Sequence, residues 1–169
     1  MLMSFLKFAK TTALKRILLP ILCMLLFFAA CTTNGVVEMH TTFPQHSWSS
    51  TEKPSYQVNI EDTAASYKVY IVLRHSDAYR YKNLWMDVAV KQPDGKTYHQ
   101  KINFLLASDE NGWLGSGMDD IWEHRILLNA TPLKFPHKGS YTFQLQQLMR
   151  EDPLEYVMNT GLRVEKLTP

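Results

Sequence analysis

The chain alternates apolar and polar residues over many of its segments. Successive side chains of a strand point to opposite faces, so alternation over about four to eight residues indicates a half-buried strand. Strand-like runs occur at residues 36–39, 56–60, 67–74, 84–91, 96–104, 125–129, 141–149 and 162–165. The sequence shows neither a strand–helix–strand rhythm nor a long amphipathic helix. We therefore predict an all-β fold, an antiparallel β-sandwich of about eight strands.

A tight turn joins two of these runs into a hairpin. Pro93 presets the backbone at the second position of the turn at residues 92–95, and Gly95 relieves strain at the fourth position. Because the turn is this short, the runs at 84–91 and 96–104 are predicted to be neighbouring antiparallel strands.

The alternation is interrupted between residues 107 and 123. Glycines in this segment permit backbone angles that other residues rarely adopt, and residues 118–124 are predicted to form one helical turn with an aspartate near its start. Such a segment is costly to order, so we expect it both to pack for stability and to contact a partner. We expect Ile121 and Trp122 to pack inward and anchor the loop, and Trp113 and Asp119 to face a protein partner.

The amino-terminal segment has the order of a bacterial lipoprotein signal peptide. Basic residues at positions 7, 10, 15 and 16 precede an apolar run, and Ala29 and Ala30 lie directly before Cys31. The apolar run is shorter than the ~20 residues that span a bilayer. We predict a cleaved signal peptide at residues 1–30 and lipidation of Cys31. An uncleaved helix and an ordinary signal peptide are the alternatives.

These boundaries give the predicted domain organisation. Residues 31–50 are expected to hold the lipidated cysteine and a tether that includes the short strand at 36–39. Residues 51–169 are expected to form the β-sandwich domain, since a segment of this length is enough for one core. Two acyl chains on Cys31 would fix the protein stably on a membrane leaflet.

Removal of the signal peptide changes the charge and the cysteine count. It takes four of the 18 basic residues and no acid, which leaves 14 basic against 16 acidic residues. This balance, without a basic block, argues against a nucleic-acid partner. Cys23 lies in the signal peptide and Cys31 accepts the lipid, so no disulfide or cysteine metal site is expected within the mature chain.

Candidate catalytic groups are sparse in this sequence. Asp120 and His124 are four residues apart, and on a helix this spacing would suit a zinc or hydrolytic site. No second histidine lies at ligand spacing, and a capped turn between strands is the alternative. Ser116 lacks the glycine spacing of a nucleophile elbow, while Glu151 and Asp152 are interpreted as turn residues. We therefore predict no enzyme activity, no metal and no cofactor.

The tryptophans are more informative than the titratable groups. Aromatic side chains are common in β cores, in protein interfaces and in sugar-binding clefts. Trp85 lies opposite the apolar face of its strand, and Trp113 lies in a glycine-rich loop, where side chains often meet partners. We select Trp85, Trp113, Asp119 and Arg150 as candidate partner-binding residues.

A set of short motifs in a fixed order resembles a known family. The motifs are Tyr81–Trp85, Pro93–Lys96, Gly112–Gly117, Asp120–Trp122, Phe135–Gly139 with Tyr141 and Phe143, Met149–Leu154, and Gly161–Glu165. Over residues 73–166 this ordered set resembles the gliding-motility lipoprotein GldH family of Bacteroidota. The resemblance implies a cell-envelope lipoprotein linked to the gliding apparatus and its associated type IX secretion system, and it implies no enzymatic activity.

Two functions remain open at this stage. The first is a noncatalytic, outer-membrane-associated lipoprotein, anchored through Cys31, that acts as a structural or assembly component by contacts with envelope or gliding-machinery proteins. The second is a carbohydrate-binding module of the cell envelope, because the same sandwich supports glycan binding and the fold alone does not separate the two functions.

Overall fold

The alternating runs form antiparallel strands in the computed structural model, which describes residues 35–167. The strands are β1 (Val36–Thr42), β2 (Ser47–Trp48), β3 (Ser55–Ile60), β4 (Ser66–Ser76), β5 (Asn83–Lys91), β6 (Thr97–Leu105), β7 (Ala107–Ser108), β8 (Gly112–Trp113), β9 (Ser116–Met118), β10 (Ile121–Leu127), β11 (Gly139–Gln147), β12 (Leu154–Glu155) and β13 (Val157–Leu167). A short 3-10 helix spans Pro44–His46. In this described part, no helix is long and apolar enough to cross a membrane.

Two antiparallel sheets carry the fold. The five-stranded sheet has the order β1-β13-β4-β10-β9, and the four-stranded sheet has the order β3-β11-β5-β6. The pairs β12-β2 and β7-β8 form two small additional sheets. The prediction of an all-β antiparallel sandwich is therefore confirmed.

The core lies between the two larger sheets, because one face of each strand is apolar. In β4, for example, Val69, Ile71 and Leu73 are buried on one face, and Val72 is buried on the other face as well. The buried set draws on both sheets and includes Val58, Ile71, Leu73, Leu84, Met86, Val88, Phe143, Leu145, Leu162 and Val164. Burial of this alternating set is what holds the sheets face to face.

The predicted hairpin at residues 92–95 is confirmed. β5 and β6 pair without a register shift from Lys91 opposite Thr97 to Asn83 opposite Leu105. Gly95 has φ +87°, and its amide donates to the carbonyl of Gln92 at 2.9 Å. A glycine is favoured at this position because side chains rarely adopt that angle.

The first strand extends further than the sequence predicts. β1 runs through Thr42 and pairs along its whole length with β13, from Val36 opposite Glu165 to Thr42 opposite Asn159. Sheet residues therefore begin well before residue 51, where the sequence placed the start of the sandwich. The partner strand is at the other end of the chain, so no local pattern reveals this pairing.

The predicted helical turn at residues 118–124 is wrong. Residues 121–127 form β10, which pairs with β4 along its length, and β9 and β10 make a hairpin in which Met118 lies opposite Ile121. The strand is favoured because its pairing satisfies the backbone and buries His124, which a lone exposed helical turn would not achieve.

Candidate docking surface and the aromatic cluster beside it

Trp85 stands on the outer face of the four-stranded sheet, near one end of β5. Its neighbours Leu84 and Met86 are buried, so strand alternation turns Trp85 outward, and 45% of its surface is exposed. The prediction from the sequence that Trp85 lies opposite the apolar face of its strand is therefore confirmed.

The sheet register brings two further apolar side chains to Trp85. The amide of Leu148 donates to the carbonyl of Trp85 at 2.8 Å, which continues the β11-β5 register and puts Leu148 on the same face. Asn103 lies opposite Trp85 on β6, and Leu105 is two residues further on the same face. Leu105 and Leu148 are 60% and 37% exposed. We call Trp85, Leu105 and Leu148 the tryptophan patch.

A surface depression of about 480 Å³ adjoins the tryptophan patch. It is lined by Tyr81, Asn83, Trp85, Leu148, Met149 and Arg150. Two of the candidate residues selected from the sequence, Trp85 and Arg150, thus lie together. The backbone amide of Trp85 donates to the Met149 sulfur at 3.3 Å, and this contact fixes the segment after β11 against the depression.

Arg150 brings an uncompensated positive charge to the depression. Within residues 35–167 it has no ion-pair partner. Its neighbour Glu151 is engaged elsewhere, with Arg80 at 3.3 Å and with the hydroxyl of Tyr81, which donates at 2.8 Å. That hydrogen bond also raises the pKa of Tyr81 and keeps its hydroxyl protonated. The depression therefore suits an apolar group that carries a negative charge.

The outer face of the five-stranded sheet is different, because ion pairs cover it. Glu38 accepts from Arg163 at 2.5 Å and lies 3.7 Å from Arg125, which also pairs with Glu123 at 3.0 Å. Partial burial acts to raise the pKa of Glu38, but the hydrogen bond from Arg163 and the nearby positive charges lower it overall. These charges satisfy one another, so this face has less to offer a partner than the tryptophan patch.

Trp113 lies beside the core and not in a freely exposed loop. Its ring is half-buried, 4.4 Å from the ring of His75 between centroids, and its Nε1 donates to Asp77 at 3.0 Å. Trp122 donates to the same Asp77 oxygen at 3.3 Å. Both tryptophans therefore anchor this segment, a role that the sequence had predicted for Trp122 and not for Trp113.

The glycines of this segment allow close approach to β10. A Cβ on Gly117 would lie 2.8 Å from the Trp122 ring, and a Cβ on Gly115 would lie 2.5 Å from the carbonyl oxygen of Glu123. Of the glycines at 112, 115 and 117, Gly112 has a positive φ, +65°. Gly115 and Gly117 are needed because a side chain at either position would clash with β10, and not because of their backbone angles.

Two histidines face each other beneath Trp113. His75 and His124 are both buried, and their Nε2 atoms are 2.9 Å apart. His75 Nδ1 donates to the Ser76 carbonyl at 2.8 Å, so its Nε2 must accept the proton of His124 Nε2. Burial lowers the pKa of both rings, and for His124 burial together with the charge of His75 lowers it to about 4. The pair is therefore neutral near pH 7.

The other sequence candidates, Asp119 and Asp120, lie in the turn between β9 and β10, away from the tryptophan patch. Asp119 occupies the tip of the β9-β10 hairpin with φ +55°, an angle that aspartate tolerates. Asp120 is exposed in the same turn, whereas His124 points into the core, so the helix geometry behind a zinc or hydrolytic site is absent here. In the described residues no group of three or more metal-ligating side chains converges. Cys31 lies outside the described residues.

The sequence analysis missed several residues of the tryptophan patch and of the cluster around Trp113. Leu105 and Leu148 join Trp85 only through strand register, for which the sequence holds no local signal. His75 did have a signal, because it continues the buried alternation of Val69, Ile71 and Leu73 along β4.

A β-sandwich behind a lipoprotein-type signal sequence is the organisation expected of a cell-envelope lipoprotein. The chain belongs to the GldH lipoprotein family, whose family model matches residues 35–164. The match reaches further toward the amino terminus than the motifs at 73–166, so β1 lies inside the family region.

Two relatives agree with this family. The chain is 26% identical over 149 residues to a gliding motility lipoprotein GldH homolog of Christiangramia forsetii, covering 84% of this chain and 90% of that protein. It is 25% identical over 127 residues to the gliding motility lipoprotein GldH of Flavobacterium johnsoniae, covering 71% and 78%. The protein is therefore a gliding-related lipoprotein, of a family named for a motility component and not for an enzyme.

Solved structures are only distantly similar. A carbohydrate-binding module specific for non-crystalline cellulose matches with a TM-score of 0.41 at 9% identity, over 82% of this chain and 80% of that chain. A similarity at this level has no bearing on the ligand.

Proposed function

We propose that this lipoprotein is a noncatalytic assembly component of the gliding and type IX secretion apparatus at the outer membrane. Lipid on Cys31 holds it at the membrane, residues 32–35 tether the sandwich, and the tryptophan patch with Arg150 binds another protein of the apparatus. The observation that carries the proposal is the patch itself, where exposed apolar side chains adjoin an unpaired cation. Aromatic residues and arginine are enriched in protein interfaces.

The lipid anchor is tested by metabolic labelling. An alkyne fatty acid is expected to label the protein, and Cys31→Ser is expected to remove the label, because the thiol accepts the diacylglycerol. Cys23→Ser is the matched control, since this residue is predicted to leave with the signal peptide. Label that persists in Cys31→Ser would rule out the predicted lipid site. Fractionation of the labelled cells then tells the outer membrane from the inner membrane.

The docking role of the patch is tested by Trp85→Ala. A photocrosslinking amino acid at Asn83, which lines the depression, is expected to capture a protein of the gliding or secretion apparatus. Trp85→Ala should then weaken capture by about tenfold or more, the effect of losing a hot spot of roughly 2 kcal/mol. Because nearly half of the Trp85 surface is exposed and the ring lies outside the core, the melting temperature should change little.

Met118→Ala is the matched control, because Met118 is also exposed and apolar but lies on the five-stranded sheet. It should leave capture unchanged. Equal capture by Trp85→Ala, Met118→Ala and the unaltered protein would contradict the docking role. Charge reversal in Arg150→Glu should weaken capture as Trp85→Ala does, if the partner presents a carboxylate there.

A glycan ligand is the second candidate, and one observation favours it. Trp85 lies beside the amides of Asn83 and Asn103, which are hydrogen-bonded to each other at 2.7 Å, and an aromatic ring next to amides also suits a sugar. Binding of the acylated protein to a glycan array, lost in Trp85→Ala, would favour this function over a protein partner.

A further inference from the structure

β6 is the longest of the four strands that form the edges of the two larger sheets. It has nine residues, against seven in β1, six in β3 and three in β9. It contains no proline, and its register with β5 has no bulge. Edge strands usually carry such features, because an open edge is a template for another strand. Among the described strands, β6 pairs only with β5, so its other edge is free.

The backbone groups on this free edge can be identified. Hydrogen-bonded pairs alternate along an antiparallel ladder. The amide of Gln92 donates to the carbonyl of Lys96 at 2.8 Å. At the other end of β6, the amide of Leu106 donates to the carbonyl of Lys82 at 2.7 Å. These bonds fix the even-numbered residues of β6 as those bonded to β5. The amides and carbonyls directed away from the sheet therefore belong to Thr97, His99, Lys101 and Asn103.

The side chains around this edge are open on both faces. Residues 97–101 are exposed without exception, and Tyr98, on the face toward the other sheet, is 55% exposed. Ile102, on the same face as Tyr98, is half-buried. The first half of β6 therefore projects beyond the opposing sheet, and Tyr98 with Ile102 leaves apolar surface uncovered.

The charge of β6 is uneven. The strand contains no acid. His99 is paired with Asp87 at 2.9 Å, but Lys101 has no ion-pair partner within residues 35–167. A strand added to this edge would place one of its alternate side chains beside Lys101, where an acid is favoured.

A second copy of this chain fits the edge poorly. The antiparallel register that pairs residues 97–105 most completely with the same residues of a second copy is centred on Lys101. It would set the two Lys101 side chains opposite each other, and like charges directly opposite are destabilising. Lysine on an edge strand is a common protection against self-pairing.

We propose that the free edge of β6, over residues 97–103, receives an extended segment of a protein partner as a fifth strand of the four-stranded sheet. The segment carries an acidic residue beside Lys101 on the outer face and apolar residues beside Tyr98 and Ile102 on the other face. Main-chain hydrogen bonds supply the attraction, and the alternation of acid and apolar residue supplies the selectivity. The edge adjoins the tryptophan patch, because Asn103 lies opposite Trp85, but the depression at Trp85 and Arg150 is a different binding surface.

Amide hydrogen exchange on the acylated protein, purified in detergent, tests the proposal residue by residue. The probes are a peptide of alternating valine and glutamate and a matched peptide of alternating valine and lysine. In the free protein, the amides of His99 and Lys101 should exchange faster than those of Tyr98 and Gln100. The valine–glutamate peptide should slow His99 and Lys101 by about tenfold or more, as for amides that enter hydrogen-bonded structure. The valine–lysine peptide should leave the exchange of these two amides unchanged.

Two variants of one residue separate backbone from charge. Lys101→Pro removes an amide that points away from the sheet, and proline is tolerated at such edge positions, so the even-numbered amides should stay protected while the peptide effect disappears. Lys101→Ala keeps the amide and should only weaken the effect. If the even-numbered amides of β6 exchange fast in Lys101→Pro, the β5-β6 hairpin has opened in that variant. The comparison of Lys101→Ala with the unaltered protein is then the test of the peptide effect.

Three results would overturn the proposal. The first is slow exchange of the His99 and Lys101 amides without peptide at all protein concentrations. The second is equal protection of these amides by both peptides, or protection by neither peptide. The third is protection that grows with protein concentration in the absence of peptide, which indicates self-pairing. Trp85→Ala should leave the peptide effect unchanged. The edge proposal and the docking role of the tryptophan patch therefore fail or succeed separately.

Discussion

Replacing Trp113 by alanine is expected to lower the free energy of unfolding by roughly 3 kcal/mol, the lower end of the range for truncating a packed aromatic side chain. The Trp113 ring packs at 4.4 Å from His75 between centroids, and its Nε1 donates to Asp77 at 3.0 Å. Truncation would open a cavity over the buried histidines and leave Asp77 with only the longer bond from Trp122. The sequence analysis had instead led us to expect Trp113 to face a partner.

Urea unfolding of the soluble domain from Thr32, followed by circular dichroism, measures this effect. Leu114→Ala is the matched control, because Leu114 is the next residue and is largely exposed. Its effect should stay within about 0.5 kcal/mol. If Trp113→Ala and Leu114→Ala unfold at the same urea concentration, Trp113 does not anchor the segment and its earlier interpretation as a contact residue returns.

The strands that the sequence predicted well are those with the longest alternating runs. β4, β5 and β11 each bury one face and leave the other face less buried along most of their length. Local periodicity carries this information, because one buried face is enough to fix the register of a strand. The hairpin at residues 92–95 was equally visible, since its turn chemistry is local.

The features that the sequence could not reveal depend on distant pairing. Residues 118–124 are compatible with a helical turn when they are considered alone, and only pairing with β4, which sets Trp122 opposite His75, makes β10 a strand. The same holds for the tryptophan patch. Trp85 was predictable from its own strand, but Leu105 and Leu148 reach it through two different neighbouring strands or their extensions.

Acidification from pH 7.5 to pH 5 is expected to lower the free energy of unfolding by about 2 kcal/mol through His124. Its pKa is about 4 in the folded protein and about 6.5 in the unfolded chain, so between these values the unfolded chain binds the extra proton more strongly. The contribution to stability is complete above about pH 6.5, is lost as the pH falls toward 4, and amounts to roughly 3 kcal/mol in full. His75 adds to the loss in the same direction, because burial lowers its pKa as well.

Urea unfolding at a series of pH values between 7.5 and 5 measures this loss, in a range above the pKa of ordinary carboxyl groups. His124→Gln keeps a donor for Nε2 of His75 but removes one titrating ring, so it should reduce the pH dependence clearly. His46→Gln, at an exposed histidine, should leave the dependence unchanged. A flat profile for the unaltered domain, or equal slopes for the unaltered domain and His124→Gln, would show that the buried pair does not control its acid stability. Trp113→Ala admits water to the two rings and should raise their pKa in the folded protein toward the unfolded value. The acid loss of stability should then become smaller and should be complete at a higher pH.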